Sequence, residues 1–525
     1  MNRDATRPAV PAHPHQRTSD LGLRAPEPGR WIPEPEPRAP DLGRPPAQRP
    51  TVEELRLTSF KSYRRASLPL APLTVLHGPA GVGKSNALDA LAVLSRLALG
   101  EEITDSLDGL PGRPGPLATP VRGGLAGCVP HGRNALILGC TVRSADGPIG
   151  LEVVVRTDGP VRIAREQLTL DGRTLMETGE QDLRHQRINV SWHNDTRQGD
   201  IRAPFPNTAL ITAQLPLRVA GSSPGERTVL AAAEHLLTAL REVFPVHPVP
   251  ALMRGWARPD PQARLVSTAA NISAVIARLS NECSRRYGQL LRVVQSAAPH
   301  PLLGLDLARR GIGTGERVLA VFDEGVLGRT GADQASDGML RHLAFAAVLL
   351  TGAGVLDLDP AAEVPWAHRQ LTVLAGDLGA GLGTEQTASL LRLARDMAGR
   401  NQLRVLAALQ EPAAAREALG GDGELPPGVA LVECRRDPGS GHTVLRTETA
   451  RVPAQGGARV AGAVGAGAAG DAGPPGSVSG AVAGSVSGDA PGAVSGPVSG
   501  AVAGSVSGDA PGSVAASGDA VDLEE

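Results

Sequence analysis

The chain has 525 residues, a formal net charge of −2, and only 2% aromatic residues. That balance supplies no global positive field for a nucleic acid, and no apolar run marks a secretory leader or a membrane span, so a cytoplasmic protein with no membrane partner is expected. The four cysteines, Cys128, Cys140, Cys283 and Cys434, are too widely spaced to suggest a zinc site or a disulfide framework, and they fit a reducing compartment.

Residues 1–50 are rich in proline and arginine and are expected to form a disordered N-terminal segment; the folded part is expected to span 51–450. Alternation at Leu55, Leu57 and Ser59, then a polar turn and a second short run at 66–70, predicts a small antiparallel pair. Leu73-Thr74-Val75-Leu76 predicts a buried strand. It leads into Gly78-Pro79-Ala80-Gly81-Val82-Gly83-Lys84-Ser85, which fits G-x-x-x-x-G-K-[ST] at every fixed position. A helix follows, with a stripe at Leu88, Leu91, Leu94 and Leu97. Strand, glycine loop and helix start together aim backbone N–H groups and the positive end of a helix dipole at an anion.

Lys84 is one of two lysines in the chain, beside 50 arginines; the other is Lys61. A compact ammonium reaches the β and γ oxygens of a triphosphate where a planar guanidinium is too bulky. Ser85 offers a hydroxyl to Mg²⁺. ATP and Mg²⁺ are therefore the expected cofactors, bound by residues 78–85 with Asn86 beside them. Neither lysine lies in an Asn-Lys-x-Asp element, which removes the standard guanine-nucleotide reading.

Residues 101–134 are rich in glycine and proline and predict a loop. Three runs at 135–142, 149–156 and 161–170, separated by Asp-Gly and Gly-Pro turns, predict an antiparallel meander. Helix is predicted over 226–244 and, as one or two helices, over 268–296; strand over 317–322. Helix at 338–350, strand at 370–375, helix at 386–398 and strand at 403–409 then alternate, which predicts a parallel sheet with right-handed crossovers. Runs at 429–435 and 442–447 predict a closing hairpin. Residues 451–525 are mostly glycine, alanine, serine and valine, with scattered aspartate and proline; 479–492 recurs identically as 499–512, and a disordered tail is expected.

A family resemblance covers about 51–412, in two strong blocks and a weak middle, and three segments carry it. They are Leu57-Thr58-Ser59-Phe60-Lys61-Ser62, the phosphate loop continued through Asn86-Ala87-Leu88-Asp89-Ala90-Leu91, and Ser336-Asp337-Gly338-Met339-Leu340-Arg341 ahead of an apolar helix. In these the chain resembles the soluble ABC-type ATPases of the RecF and SMC kind. Within them it is most similar to bacterial AAA family ATPases grouped with abortive-infection toxins and with the ATPase half of overcoming-lysogenization-defect proteins. The resemblance implies an α/β P-loop NTPase of ABC type, with a mixed sheet core, an N-terminal antiparallel β portion and an inserted helical lid lobe near 140–326. It also implies that Ser336, Asp337 and Gly338 form a signature loop. That loop would meet the γ-phosphate held by another protomer, giving an ATP-dependent homodimer. A plain Ser/Asp helix cap is the alternative. A DNA partner follows from the resemblance alone.

The chain departs from that pattern at two positions. The strand at 370–375 leads to one acid, Asp377, where the family has two, so Asp377 is either the water-activating acid, with Gly376 in the metal position, or the metal-side acid with no base. Gln410 stands where the family has a switch histidine; it can donate to a phosphate but cannot take up a proton. The resemblance implies a Mg-ATP-dependent ATPase acting as an ATP-gated dimer in DNA maintenance or phage defence; these changes suggest nucleotide binding with slow or absent hydrolysis, and a scaffold or switch with little or no hydrolysis is the alternative. A small-molecule kinase is a further alternative.

Overall fold

The computed structural model describes residues 49–112, 115–195, 200–358, 369–400, 403–420 and 425–449. Of the two units into which the chain divides, 1–453 and 454–525, only the first is described. Both segments expected to be disordered lie outside the described residues, apart from Arg49 and Pro50.

The chain opens with β1 (Thr51–Phe60), β2 (Tyr63–Pro69) and β3 (Leu73–His77), then α1 (Lys84–Leu97), α2 (Ile103–Asp108) and α3 (Gly124–Cys128). Six strands follow: β4 (Ala135–Ser144), β5 (Gly147–Arg156), β6 (Arg162–Leu170), β7 (Arg173–Asp182), β8 (Arg187–Trp192) and β9 (Ile201–Pro206). Next come α4 (Ile211–Arg218), α5 (Pro224–Arg241), β10 (Val243–Val246), α6 (Pro250–Met253), α7 (Ile272–Glu282) and α8 (Ser284–Ala297). After β11 (Gly304–Arg310), β12 (Arg317–Asp323) and β13 (Arg329–Gly331), the chain alternates through α9 (Asp337–Thr351), β14 (Leu371–Ala375), α10 (Thr384–Ala398), β15 (Leu403–Leu409) and α11 (Ala413–Leu419). It closes on β16 (Val429–Arg436) and β17 (Thr443–Thr449).

Fourteen strands form one mixed sheet in the order β10-β14-β15-β3-β16-β17-β2-β1-β4-β5-β6-β7-β8-β9. The first five are parallel to one another. From β2 onward every pairing is antiparallel, and the halves join where Thr443 of β17 pairs with Tyr63 of β2. A second sheet contains β11, β12 and β13. This is an α/β fold with a large mixed sheet and an N-terminal antiparallel portion.

The parallel strands are apolar along their length because both of their faces are covered. On β3, Leu76 packs into a core that includes α1 and α5, while Leu73 and Val75 pack into a second core that includes α7 to α10. Burial of both faces leaves the carboxyl ends of these strands as the open rim where loops can gather.

Several elements differ from the sequence expectations. The helix predicted over 226–244 stops at Arg241, and the next residues become β10, paired in parallel with β14. Its apolar period continues into a buried edge strand, which periodicity alone does not separate from helix. The loop predicted over 101–134 contains α2 and α3. The stretch 140–326 carries five helices, α4 to α8, yet the second half of β4, all of β5 to β9, and β10 within it belong to the main sheet. It is threaded through the sheet rather than set apart from it. Among the described residues no helix is long and apolar enough to cross a membrane.

Candidate functional site

The glycine loop leaves β3 and turns into α1. Gly78, Gly81 and Gly83 have φ of 142°, 80° and 109°, a region that side chains with a Cβ rarely enter. Two of them also have no room: a Cβ on Gly78 would lie 2.4 Å from the carbonyl oxygen of Cys434, and one on Gly83 would lie 2.4 Å from Thr443 Oγ1. The loop is fastened by groups distant in sequence. Thr443 Oγ1 donates to the Val82 carbonyl at 2.7 Å, Tyr63 Oη to the Gly83 carbonyl at 3.1 Å, and Arg436 Nη2 to the Gly81 carbonyl at 3.0 Å.

Pro79, Ala80 and Gly81 form the exposed crown of the loop, while Lys84 is buried beneath it. The Lys84 ammonium donates to the carbonyls of Gly78 at 2.7 Å and Pro79 at 2.8 Å. Burial lowers its pKa below the usual lysine value, and nearby Cys434 and Asp377 oppose that shift. No side chain caps the start of α1, where Ser85 sits in the first turn. The helix therefore keeps its N–H groups and dipole for an external anion.

Asp377 and Gln410 are brought to the same rim. β14, β15 and β3 are consecutive parallel strands, so their carboxyl ends lie side by side. Gly78 N–H donates to the carbonyl of Gln410 at 3.2 Å, which ties the first glycine of the loop to the end of β15. The Gln410 side chain is exposed. Asp377 is exposed at a left-handed φ of 50°, in a turn held to β15 by the Leu378 N–H on the Ala408 carbonyl at 3.1 Å. Gly376 beside it adds no second acid.

Ser336, Asp337 and Gly338 start α9. Ser336 caps the helix, its side chain accepting from Met339 N–H at 3.2 Å. A Cβ on Gly338 would lie 2.4 Å from the Gly381 carbonyl, so this helix start rests on the turn that follows Asp377. Among the described residues no hydrogen bond joins it to the glycine loop of the same chain.

A further polar group was not assigned from sequence. Asp89, one turn along α1 from Ser85, accepts from Lys61 Nζ at 2.7 Å and from Arg122 Nη2 at 2.6 Å. Arg122 Nη2 also donates to Asn86 Oδ1 at 2.7 Å, and Asn86 Nδ2 donates to Ser62 Oγ at 2.9 Å. The second lysine of the chain thus serves the same helix as the first. Its rarity was the available signal; the partner Arg122 lies in a glycine-rich stretch with no pattern of its own.

These residues fit a magnesium nucleotide. The glycines leave a backbone cradle, Lys84 lies buried beneath it with its ammonium on the Gly78 and Pro79 carbonyls, and one hydroxyl and one carboxylate, Ser85 and Asp377, flank it. Among the described residues no cluster of three or more His, Cys, Asp or Glu could hold a metal by itself. Mg²⁺ does not require one, since it commonly uses one or two protein groups together with phosphate oxygens and water.

No family model matches the chain, and no curated protein matches its sequence. Solved structures with a similar course include an SMC head bound to the C-winged helix domain of ScpA, at 11% identity and a TM-score of 0.40, covering 76% of this chain and 98% of that one. The SMC head domain from Thermotoga maritima matches at 13% identity and a TM-score of 0.33, covering 75% of this chain and 98% of that one. The Pyrococcus furiosus SMC head with an extended coiled coil, bound to the C-terminal domain of ScpA, matches at 12% and 0.38, covering 76% of this chain and 96% of that one. At these identities and scores the likeness carries no conclusion about activity.

Proposed function

We propose that this chain binds Mg²⁺-ATP on residues 78–86 and uses it to join two copies, with slow or absent hydrolysis. The observation that carries the reading is the loop itself: three left-handed glycines, two with no room for a Cβ, wrapped over a buried lysine at an uncapped helix start. In this reading Lys84 and the loop N–H groups hold the phosphates, and Ser85 and Asp377 hold the Mg²⁺ that neutralises them. The start of α9 in one copy, Ser336 to Gly338, meets the γ-phosphate held by the other through its backbone N–H groups, not through the Asp337 carboxylate. Slow turnover follows from the side chains present. Asp377 is the one acid at the end of β14, and Gln410 cannot accept a proton. Loss of general-base assistance alone costs about 10²–10⁴-fold in rate.

Light scattering of the full chain with and without saturating ATP tests the pairing. Dimer formation that requires ATP, and that Ser336→Arg blocks while leaving ATP binding intact, supports it. A monomer at saturating ATP removes it. Steady-state phosphate release, measured in parallel, separates a slow ATPase from a non-hydrolysing switch. A role on DNA or in phage defence rests on the family resemblance alone, and a salt-dependent gel shift of DNA with and without ATP tests the first of these.

A further inference from the structure

Arg254 follows α6 directly and reaches the start of α9. Its Nη2 donates to the Ala335 carbonyl at 2.9 Å and to Asp337 Oδ1 at 2.6 Å. The pair is open to water, with the side chains 32% and 61% exposed. Exposed pairs contribute little to stability, so this one is not needed to hold the fold.

Its position gives it another task. An aspartate in the first turn suits the helix, whose dipole favours negative charge there. The same charge repels any phosphate that approaches that helix start. Arg254 cancels it. Arg341, one turn further along α9, lies on the side facing the Asp377 turn: its Cδ is 4.0 Å from where a Cβ of Gly381 would stand, and Gly381 is the residue against which Gly338 packs. With Asp337 neutralised, Arg341 leaves this end of the helix net positive.

We propose that Arg254 is a positioning residue for the dimer site. It neutralises Asp337 and fixes the backbone at Ala335, so that the start of α9 accepts the triphosphate held by a second copy. The proposal rests on the ATP-joined pair described above.

The full chain carrying Arg254→Ala, Asp337→Asn, or both is compared with the unsubstituted chain by light scattering across an ATP titration. ATP affinity is measured separately on dilute protein. Arg254→Ala is expected to weaken ATP-dependent dimerisation at least tenfold without changing ATP affinity or the melting temperature. Asp337→Asn alone is expected to dimerise at least as tightly as the unsubstituted chain. The double variant is expected to recover most of what Arg254→Ala loses, because an uncharged residue 337 needs no counter-charge; a merely structural role for Arg254 gives no such rescue. Unchanged dimerisation in Arg254→Ala, or failure of Asp337→Asn to rescue it, overturns the proposal and leaves the dimer standing. An unsubstituted chain that stays monomeric with ATP overturns both. Should Arg254→Ala not fold, Asp337→Asn alone decides: weakened dimerisation in that variant overturns the proposal.

Discussion

Gly78 and the carbonyl of Cys434 stand so close that a Cβ on the glycine would lie 2.4 Å from the oxygen. That oxygen belongs to the backbone of β16, which is paired to β3 and cannot step aside. Gly78→Ala is therefore expected to destabilise the protein by about 3 kcal/mol and to abolish nucleotide binding. Gly81 makes the contrast. Its φ of 80° is also left-handed, but nothing lies within 4 Å of its Cβ position, so Gly81→Ala carries only the left-handed backbone cost of about 1 kcal/mol. Urea midpoints of the two variants check this; equal losses would contradict the crowding at Gly78.

Removing Asp89 should cost more than removing Lys61. The Lys61 and Asp89 side chains are 9% and 17% exposed, and Arg122 shares the same carboxylate oxygen. Asp89→Ala leaves two cations facing each other, one of them buried, and is expected to cost about 2 kcal/mol. Lys61→Met leaves Asp89 with Arg122 and is expected to cost about 1 kcal/mol. Chemical denaturation ranks them, and the reverse order would mean that Arg122 does not hold the carboxylate.

His342 predicts an acid sensitivity. It lies fully buried on α9 with neither ring nitrogen hydrogen-bonded, and burial lowers its pKa to about 4. In the unfolded chain the imidazole takes up a proton near pH 6.5. Stability from this site is therefore intact above about pH 6.5 and lost progressively as pH falls towards 4, in total about 3 kcal/mol. His342→Leu should flatten that part of the stability–pH curve. If the variant and the parent lose stability in parallel between pH 6.5 and 4.5, the imidazole does not set the slope.

The missing acid can be supplied. Gly376 has an ordinary φ, and a Cβ there would meet only Leu88 Cδ2, at 3.9 Å. Gly376→Asp places a second carboxylate beside Asp377 at a position with room for a Cβ. With a carboxylate at 376 to take the metal side, Asp377 is freed to act as the base, and phosphate release is expected to rise about tenfold or more, within the range general-base assistance supplies. Intact ATP binding with unchanged turnover would show that the second acid is not what limits hydrolysis.

The strand, glycine loop and helix at 73–97 were legible because their pattern is local: a buried apolar run, a fixed glycine spacing and a helix stripe lie in one run of residues. β14 and β15 were legible for the same reason, as short buried apolar runs between helices. β7 was not. Most of its residues are exposed, including Glu177, Glu180 and Asp182, and it is a strand through its pairing with β6 and β8. β10 was hidden in the tail of a helical pattern. The fastening of the loop by Tyr63, Thr443 and Arg436, and the meeting of Lys61 with Asp89 and Arg122, depend on strand order across the sheet, which no local pattern encodes. The start of α9 was legible as a helix start, but its ion-pair partner, Arg254, follows a four-residue helix with no signature.

The most direct measurement is equilibrium binding of Mg²⁺-ATP to the full chain and to its Lys84→Ala variant by titration calorimetry. Loss of the charged hydrogen bonds that one ammonium makes to phosphate is worth roughly 1.5–3 kcal/mol, so affinity is predicted to fall about 10- to 100-fold or beyond detection, with the fold unchanged by circular dichroism. A Lys84→Ala variant that binds ATP as tightly as the unsubstituted chain would contradict the assignment of this loop as the nucleotide site.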